Sequence, residues 1–363
     1  MIPGKNWIAK LGSEDTKNTI LLVARISTAE DAVSLKLCKV YIYKAFLLVY
    51  NAQISGNQSA MAYSTNSSHQ GFHEKPLEKL GPYQIESVLG RGGVSMVYKA
   101  QRRQGQPVAL KVLFTSVARQ PNLRKRFQQE YRILSRLRHR GIIGVHDMGE
   151  INGRLYIAMS LLQGETLESM VSRAKKLGEV VSIEITRQLA DILDYLHRQG
   201  IIHRDIKTSN VMITPDRRVI LFDFGTALLV ENPLPEDFQG IFGTPPFVSP
   251  EQIEVKADID GRADLYSLGI ILYRMVAGRK PFYGTRSELL EAHLHHPPPP
   301  PSDFAHVSPA LESIIMKLLE KDPAHRFQTG SELIDALNQV EILPDEPSLP
   351  RQLLRWFKLP ISG

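Results

Sequence analysis

The stretch Ile202-His203-Arg204-Asp205-Ile206-Lys207-Thr208-Ser209-Asn210-Val211, followed thirteen residues after Asn210 by Asp223-Phe224-Gly225, decides how this chain is read. It is a compact polar loop between apolar segments. Val211-Met212-Ile213 and Val219-Ile220-Leu221-Phe222 are short apolar runs of strand type, and Thr214-Pro215-Asp216-Arg217-Arg218 between them has turn chemistry. Folding the two runs as a hairpin predicts that Asn210 and Asp223 meet at its open end. A carboxylate and a carboxamide oxygen held together make a hard-oxygen site, which suits magnesium shared with phosphates. Asp205, five residues before Asn210, is close enough to orient a nucleophile beside that metal. Any one of these residues alone reads equally well as a helix-capping Asp or Asn in a polar loop. The ordered set does not.

That set, H-R-D-x-K-x-x-N with D-F-G, resembles the catalytic core of eukaryotic-type (Hanks-type) protein kinases, in the Ser/Thr branch. The resemblance implies an α+β, bilobal fold with a small N-lobe, an antiparallel sheet plus one helix, and a larger, mainly helical C-lobe. It extends over residues 81–340, with the N-lobe at 81–160 and the C-lobe at 165–340. Residues 1–80 are then an extension and linker, and residues 341–363 a tail.

Size and composition agree with that reading. A chain of 363 residues has room for one two-lobed domain plus extensions, and 43% hydrophobic with 23% charged residues is ordinary for a soluble protein. The single cysteine, Cys38, excludes an intramolecular disulfide and a Cys-rich zinc site and makes a reducing, cytoplasmic setting the default. A net charge of +6 is too modest to point to nucleic acid. No stretch reaches about 18 uncharged apolar residues, so no membrane span is expected. The nearest, Val33 to Ile54, is interrupted by Lys36, Lys39 and Lys44, and it lies too far in for a cleavable signal peptide.

Along the chain, Ile20 to Ala24 and Val40 to Tyr50 are strands or a helix, with ambiguous periodicity. Asn51 to Gly71, rich in Ser, Asn, Gln and Gly, reads as a flexible linker. Met61 is the expected true start of the protein, with a small accessory module in the first sixty residues as the alternative. Tyr83, Ile85, Val88 and Leu89 lead as a strand into Leu89-Gly90-Arg91-Gly92-Gly93-Val94-Ser95-Met96-Val97. Glycines let such a hairpin approach phosphate oxygens closely. From Asn122 the spacing turns helical, with Phe127, Leu134, Leu137 and Glu130 on one face and Arg124, Lys125, Arg132, Arg136 and Arg138 on the other. A carboxylate on an inward stripe needs a partner, and Lys111 on the preceding strand is the candidate. The basic face is a solvated helix surface or a docking surface. Glu179 to Arg198 is an amphipathic helix that delivers the chain into the opening loop. His293, His295 and His296 precede the prolines 297–301, which favours a stiff surface loop over a metal site. Arg351 to Lys358, with Trp356 and Phe357, is a short basic-aromatic patch, suited to packing on the domain or to weak membrane-surface contact.

The kinase resemblance assigns roles. Asp205 is the implied base for the substrate hydroxyl, and Lys207 neutralises the transferring phosphoryl group and favours Ser/Thr substrates. Lys111, positioned by Glu130, holds the α- and β-phosphates of ATP, and Asn210 and Asp223 hold Mg2+. Leu89, Gly90, Gly92, Gly93 and Val97 form the glycine-rich loop over the nucleotide. Ala109, Met159, Ser160, Leu162 and Met212 surround the adenine. The glycine-rich loop departs from the pattern, since Ser95 stands at the third glycine. Gly243-Thr244-Pro245-Pro246-Phe247-Val248-Ser249-Pro250-Glu251 resembles the peptide-binding end of an activation segment, with Thr244 bonded to Asp205 and Lys207. Asp264 is implied to hold the loop's backbone, and Arg326 to pair with Glu251. Val248-Ser249-Pro250-Glu251-Gln252 and Lys321-Asp322-Pro323 are in the style of bacterial Ser/Thr kinases, here without the receptor type's membrane span and sensor domain.

One departure concerns control. Arg204 usually grips a phosphate on the activation loop, yet no Ser, Thr or Tyr lies between Ala227 and Gly243. Glu231, Glu236 and Asp237 are present instead, so either a carboxylate replaces the phosphate or the loop is mobile until a partner orders it. Two other functions stay open: a scaffold that binds without transfer, supported by Ser95 alone, and a small-molecule kinase, which the peptide segment and Arg326 oppose.

Overall fold

Short segments that bury alternate or consecutive apolar residues in the first half of the domain form one antiparallel sheet. Its strands are β1 (Lys79–Leu80), β2 (Tyr83–Arg91), β3 (Ser95–Arg102) and β4 (Pro107–Leu113), followed by β5 (Val145–Ile151) and β6 (Arg154–Ser160). The spatial order is β1-β2-β3-β4-β6-β5, with β4 buried along nearly its whole length at the centre. Between β4 and β5 lie a short turn of helix, α1 (Thr115–Ala118), and the longer α2 (Pro121–Arg136). Pro121 at the first helical position gives α2 a preset φ where no amide donor is needed. The structure is a computed structural model that describes residues 75–102, 105–238 and 240–341. The expectations for Met61, the linker and the basic-aromatic tail lie outside the described residues.

Residues 161–164 cross to the second, mainly helical lobe. Gly164 sits at φ +141°, and a Cβ there would lie 2.1 Å from the carbonyl oxygen of Ile213, so the crossing requires glycine. After β7 (Glu165–Thr166) come α3 (Leu167–Ala174) and α4 (Glu179–Arg198). Strands β8 (Ile201–Ile202), β9 (Val211–Ile213), β10 (Val219–Leu221) and β11 (Leu228–Leu229) make two small sheets, β10-β9-β7 and β11-β8. These bracket residues 203–210 on both sides. The β9–β10 hairpin has Val211 opposite Leu221, and the Phe222 amide donates to the Asn210 carbonyl at 3.1 Å. The predicted open end is therefore the one that forms.

The remaining helices are α5 (Pro250–Ile253), α6 (Arg262–Ala277), α7 (Arg286–His295), α8 (Pro309–Leu318) and α9 (Gly330–Asn338). Helix α6 is apolar nearly all round and buried accordingly, packed by α4 and α8. It ends at Gly278 in the left-handed conformation, with the Gly278 amide on the Arg274 carbonyl. The three histidines part company: His293 turns inward onto the Tyr266 hydroxyl at 2.9 Å, while His295 and His296 face solvent. No helix among the described residues is long and apolar enough to cross a membrane.

Candidate active site

The polar loop hangs from helix α6. Asp264, buried in its first turn, accepts the backbone N–H of His203 at 2.9 Å and of Arg204 at 2.8 Å, and the His197 ring at 2.9 Å. Burial pushes the Asp264 carboxyl up, but the bonds from His197 and His203 outweigh it and hold it below the usual carboxylate range. Arg204 takes a left-handed backbone, φ 63°, which turns the chain so that Asp205 faces the cleft. From below, the His203 ring meets the edge of Phe224 at 4.8 Å.

Asp205 is nine-tenths buried, and both its oxygens are engaged. Oδ2 accepts Lys207 Nζ at 2.6 Å, and Oδ1 accepts the Thr244 hydroxyl at 2.7 Å. Lys207 Nζ also donates to Thr244 Oγ1 at 2.9 Å, so the three residues close a triangle. Asn210 Nδ2 donates to the Asp205 carbonyl at 3.0 Å, which turns its amide oxygen the other way.

A second cluster joins the two lobes. Lys111 Nζ on β4 donates to both oxygens of Glu130 on α2, at 2.7 and 2.8 Å, and to Asp223 Oδ1 at 2.9 Å. Burial pulls the ammonium's pKa down, but the Asp223 and Glu130 charges overcome it and raise the pKa above its ordinary value. Lys111 in turn draws the Asp223 carboxyl down to about 2, against the partial desolvation of its place between the lobes. Asp223 also has a left-handed backbone, φ 66°, and its side chain is 45% exposed, so the carboxylate opens onto the cleft. With the Asn210 amide oxygen it offers two hard oxygens. No group of three or more His, Cys, Asp or Glu suited to a metal occurs among the described residues. Two oxygens fit magnesium, which keeps several waters and completes its shell with phosphate.

Above this cluster, β2 and β3 form the glycine-rich hairpin. Gly90 pairs with Val97, and the Gly92 amide donates to the Ser95 carbonyl at 2.9 Å. Ser95 lies in β3 opposite Leu113, buried, with an ordinary backbone φ. Position 95 therefore makes no demand that only glycine meets. Ala109 on β4 pairs with Met159 on β6, and both are buried at the back of the cleft. The Ser160 amide is taken by the Gly144 carbonyl at 2.9 Å, while the Leu162 amide has no acceptor among the described residues. Met212 is half-buried on β9, and Leu89 is exposed at the hairpin's rim.

The segment after Gly243 is anchored on the far side. Arg326 donates to both oxygens of Glu251 at 2.7 and 2.9 Å, fully enclosed. Ser267 Oγ on α6 donates to the Phe247 carbonyl at 2.7 Å. Gly243, at φ +110°, would bring a Cβ within 2.8 Å of the Arg204 carbonyl, so only glycine lets the segment close on the loop.

The family described as the protein kinase domain matches residues 83–337. The chain belongs to this protein kinase family. The chain is 36% identical over 269 residues to a probable serine/threonine-protein kinase of Streptomyces coelicolor, covering 72% of this chain and 40% of that one. It is equally identical over 269 residues to Pkn1 of Myxococcus xanthus, covering 71% and 38%. With PknB of Mycolicibacterium smegmatis it shares 36% over 279 residues, 74% and 44%. The chain thus spans about two fifths of the length of these curated relatives. The crystal structure of the Mycobacterium tuberculosis PknI kinase domain, in a point-mutant form, superposes with a TM-score of 0.57 at 30% identity, covering 76% of this chain and 99% of that one. The bilobal fold and the bacterial-like Hanks-type resemblance both hold.

Three features of the site are not apparent from the sequence. Arg126 lies one turn before Glu130 on the buried face of α2, and it pairs with Asp237 at 3.0 Å. Its i, i+4 spacing from Glu130 was the available signal. Gln252 Nε2 donates to the carbonyls of Arg204 (2.8 Å) and Phe242 (2.9 Å), tying loop to segment. Glu168 on α3 bonds Thr208, next to Lys207, and Arg274 on α6. Of the three candidate carboxylates near Arg204, Asp237 reaches it; Glu231 is exposed, and the Glu236 side chain lies outside the described residues.

Proposed function

We propose that this chain is an ATP-dependent protein serine/threonine kinase that transfers the γ-phosphoryl group of ATP to Ser or Thr hydroxyls of protein substrates. The observation that carries the reading is the Asp205–Lys207–Thr244 triangle beside the Lys111–Glu130–Asp223 cluster. Phosphoryl transfer asks a protein for positioning and charge neutralisation more than for covalent chemistry. Asp205 orients the substrate hydroxyl and receives its proton as the oxygen–phosphorus bond forms and the bond to the β-phosphate oxygen breaks, releasing ADP. Lys207 stands over the transferring group and neutralises its charge, and Thr244 aligns both side chains at the peptide site.

Lys111, held by Glu130, grips the α- and β-phosphates. Asn210 and Asp223 would hold magnesium, which supplies the remaining neutralisation of phosphate charge. Gly90, Gly92, Gly93, Leu89 and Val97 cover the nucleotide. Ala109, Met159 and Met212 enclose the adenine, with the Ser160 carbonyl and the Leu162 amide facing its edge. The kinase domain in this reading is residues 81–340, flanked by an extension and a tail, in a reducing cytoplasmic setting.

The test is transfer of radiolabelled phosphate from ATP with Mg2+ to a generic basic protein, followed by phosphoamino-acid analysis. Wild type is expected to label Ser and Thr and Asp205→Asn is not. Equal labelling by the two proteins overturns the assignment.

A further inference from the structure

Asp237 is fully enclosed, and two arginines from different parts of the molecule converge on it. Its Oδ1 accepts Arg204 Nη2 at 2.5 Å and Arg126 Nη2 at 3.0 Å, and its Oδ2 accepts the Leu234 amide at 2.7 Å. Arg204 also donates to the Asp237 carbonyl at 3.3 Å and to the Thr226 carbonyl at 2.8 Å. The Phe242 ring lies against both guanidinium groups, 4.6 Å from Arg126 and 4.5 Å from Arg204. One arginine precedes Asp205 in the loop, and the other stands one turn before Glu130 on α2. A single carboxylate therefore links the base to the helix that holds Lys111.

The energetics make that link directional. Two buried guanidinium groups sharing one anion repel each other if the anion is removed, and an uncompensated buried charge is costly. Arg126 Nη1 has no hydrogen-bond partner among the described residues even with Asp237 in place. Without the carboxylate, relief comes by moving α2 away from the loop, and Glu130 leaves Lys111 with it. Loops of this kind are commonly ordered by phosphorylation through new arginine contacts. No Ser, Thr or Tyr lies between Ala227 and Gly243 to be modified.

We infer that Asp237 is a permanent positioning residue, a carboxylate that holds Arg126 and Arg204 together so that the kinase is assembled without phosphorylation of its own loop. This rests on the proposed kinase function and specifies how that activity is controlled.

The experiment compares kcat, KM for ATP and thermal midpoint for wild type, phosphatase-treated wild type, Asp237→Asn, Asp237→Glu and Asp205→Asn, all in the full chain. Phosphatase-treated wild type is expected to keep its rate. Asp237→Asn, equal in size but uncharged, is expected to lose about ten- to a hundredfold in kcat. Asp237→Glu is expected to recover most of that loss and to melt near the wild-type temperature, while Asp237→Asn melts lower but still cooperatively, as expected for two buried guanidinium groups left without their anion. An unchanged kcat in Asp237→Asn overturns the inference, as does loss of activity on phosphatase treatment. Equal loss in Asn and Glu variants with a parallel fall in melting temperature also overturns it, since that marks a merely structural residue. Wild type no more active than Asp205→Asn defeats the kinase reading itself, a different result from any of these.

Discussion

At Asp205, Lys207, Thr244 and Asn210 all donate to one carboxylate and fix its orientation in the cleft. Replacing Asp205 by Asn keeps the shape and leaves Lys207 and Thr244 without their acceptor charge. Loss of a general base typically costs about 10²–10⁴ in rate, so kcat of Asp205→Asn is expected to fall by that factor in a steady-state assay. Ser95 is the opposite kind of position. Its pairing with Leu113 and ordinary backbone give glycine no advantage there. Ser95→Gly is expected to cost about 0.5–1 kcal/mol of stability in a denaturant titration and to leave KM for ATP near wild type, because glycine in a strand interior adds only unfolded-state freedom. The sequence pattern alone invited doubt about nucleotide grip at this residue, since a motif records residue types and not backbone angles.

Elements carry the next level of control. Helix α3 is joined to α6 by the bidentate Glu168–Arg274 pair, with Thr208 of the loop as a third member. The hydrogen bonds from Arg274, with help from Thr208 and against partial burial, lower the Glu168 carboxyl from 4.5 to about 2. A carboxylate whose pKa is depressed by folding stabilises the fold above its unfolded pKa and loses that contribution as pH falls through the folded value. The stability gap between wild type and Glu168→Gln is therefore expected to be constant above pH 4.5 and to close towards pH 2, as read by urea unfolding at several pH values. The elements differ in how much of this the sequence disclosed. The β9–β10 hairpin was legible because its turn residues are specific, and Glu130 because a charge on an apolar stripe needs a partner. Arg126 was not, because the basic residues on the outer face of α2 dilute the signal of one that points inward. Nor could spacing choose Asp237 among three carboxylates in a segment that has no periodicity.

At the scale of the described molecule, the segment ending at Glu251 and the final helices are held as one by Arg326. Its guanidinium also donates to the carbonyls of Glu320, Arg262 and Lys321, at 2.7, 3.0 and 2.9 Å. Arg326→Met leaves the Glu251 carboxylate buried and alone and is expected to cost about 3–5 kcal/mol in denaturant unfolding, whereas the double variant with Glu251→Gln is expected to cost less. The kinase resemblance implied this pair; nothing in composition or spacing links two residues so far apart in sequence. Asp264 has a further consequence at this scale. The His203 and Arg204 amides it accepts are covered by helix α6, which is buried nearly all round. Those two amides are expected to exchange with deuterium only when the large lobe opens as a unit, not through local fluctuation of the loop, as amide exchange followed by mass spectrometry would show. Chemistry and core share one lifetime.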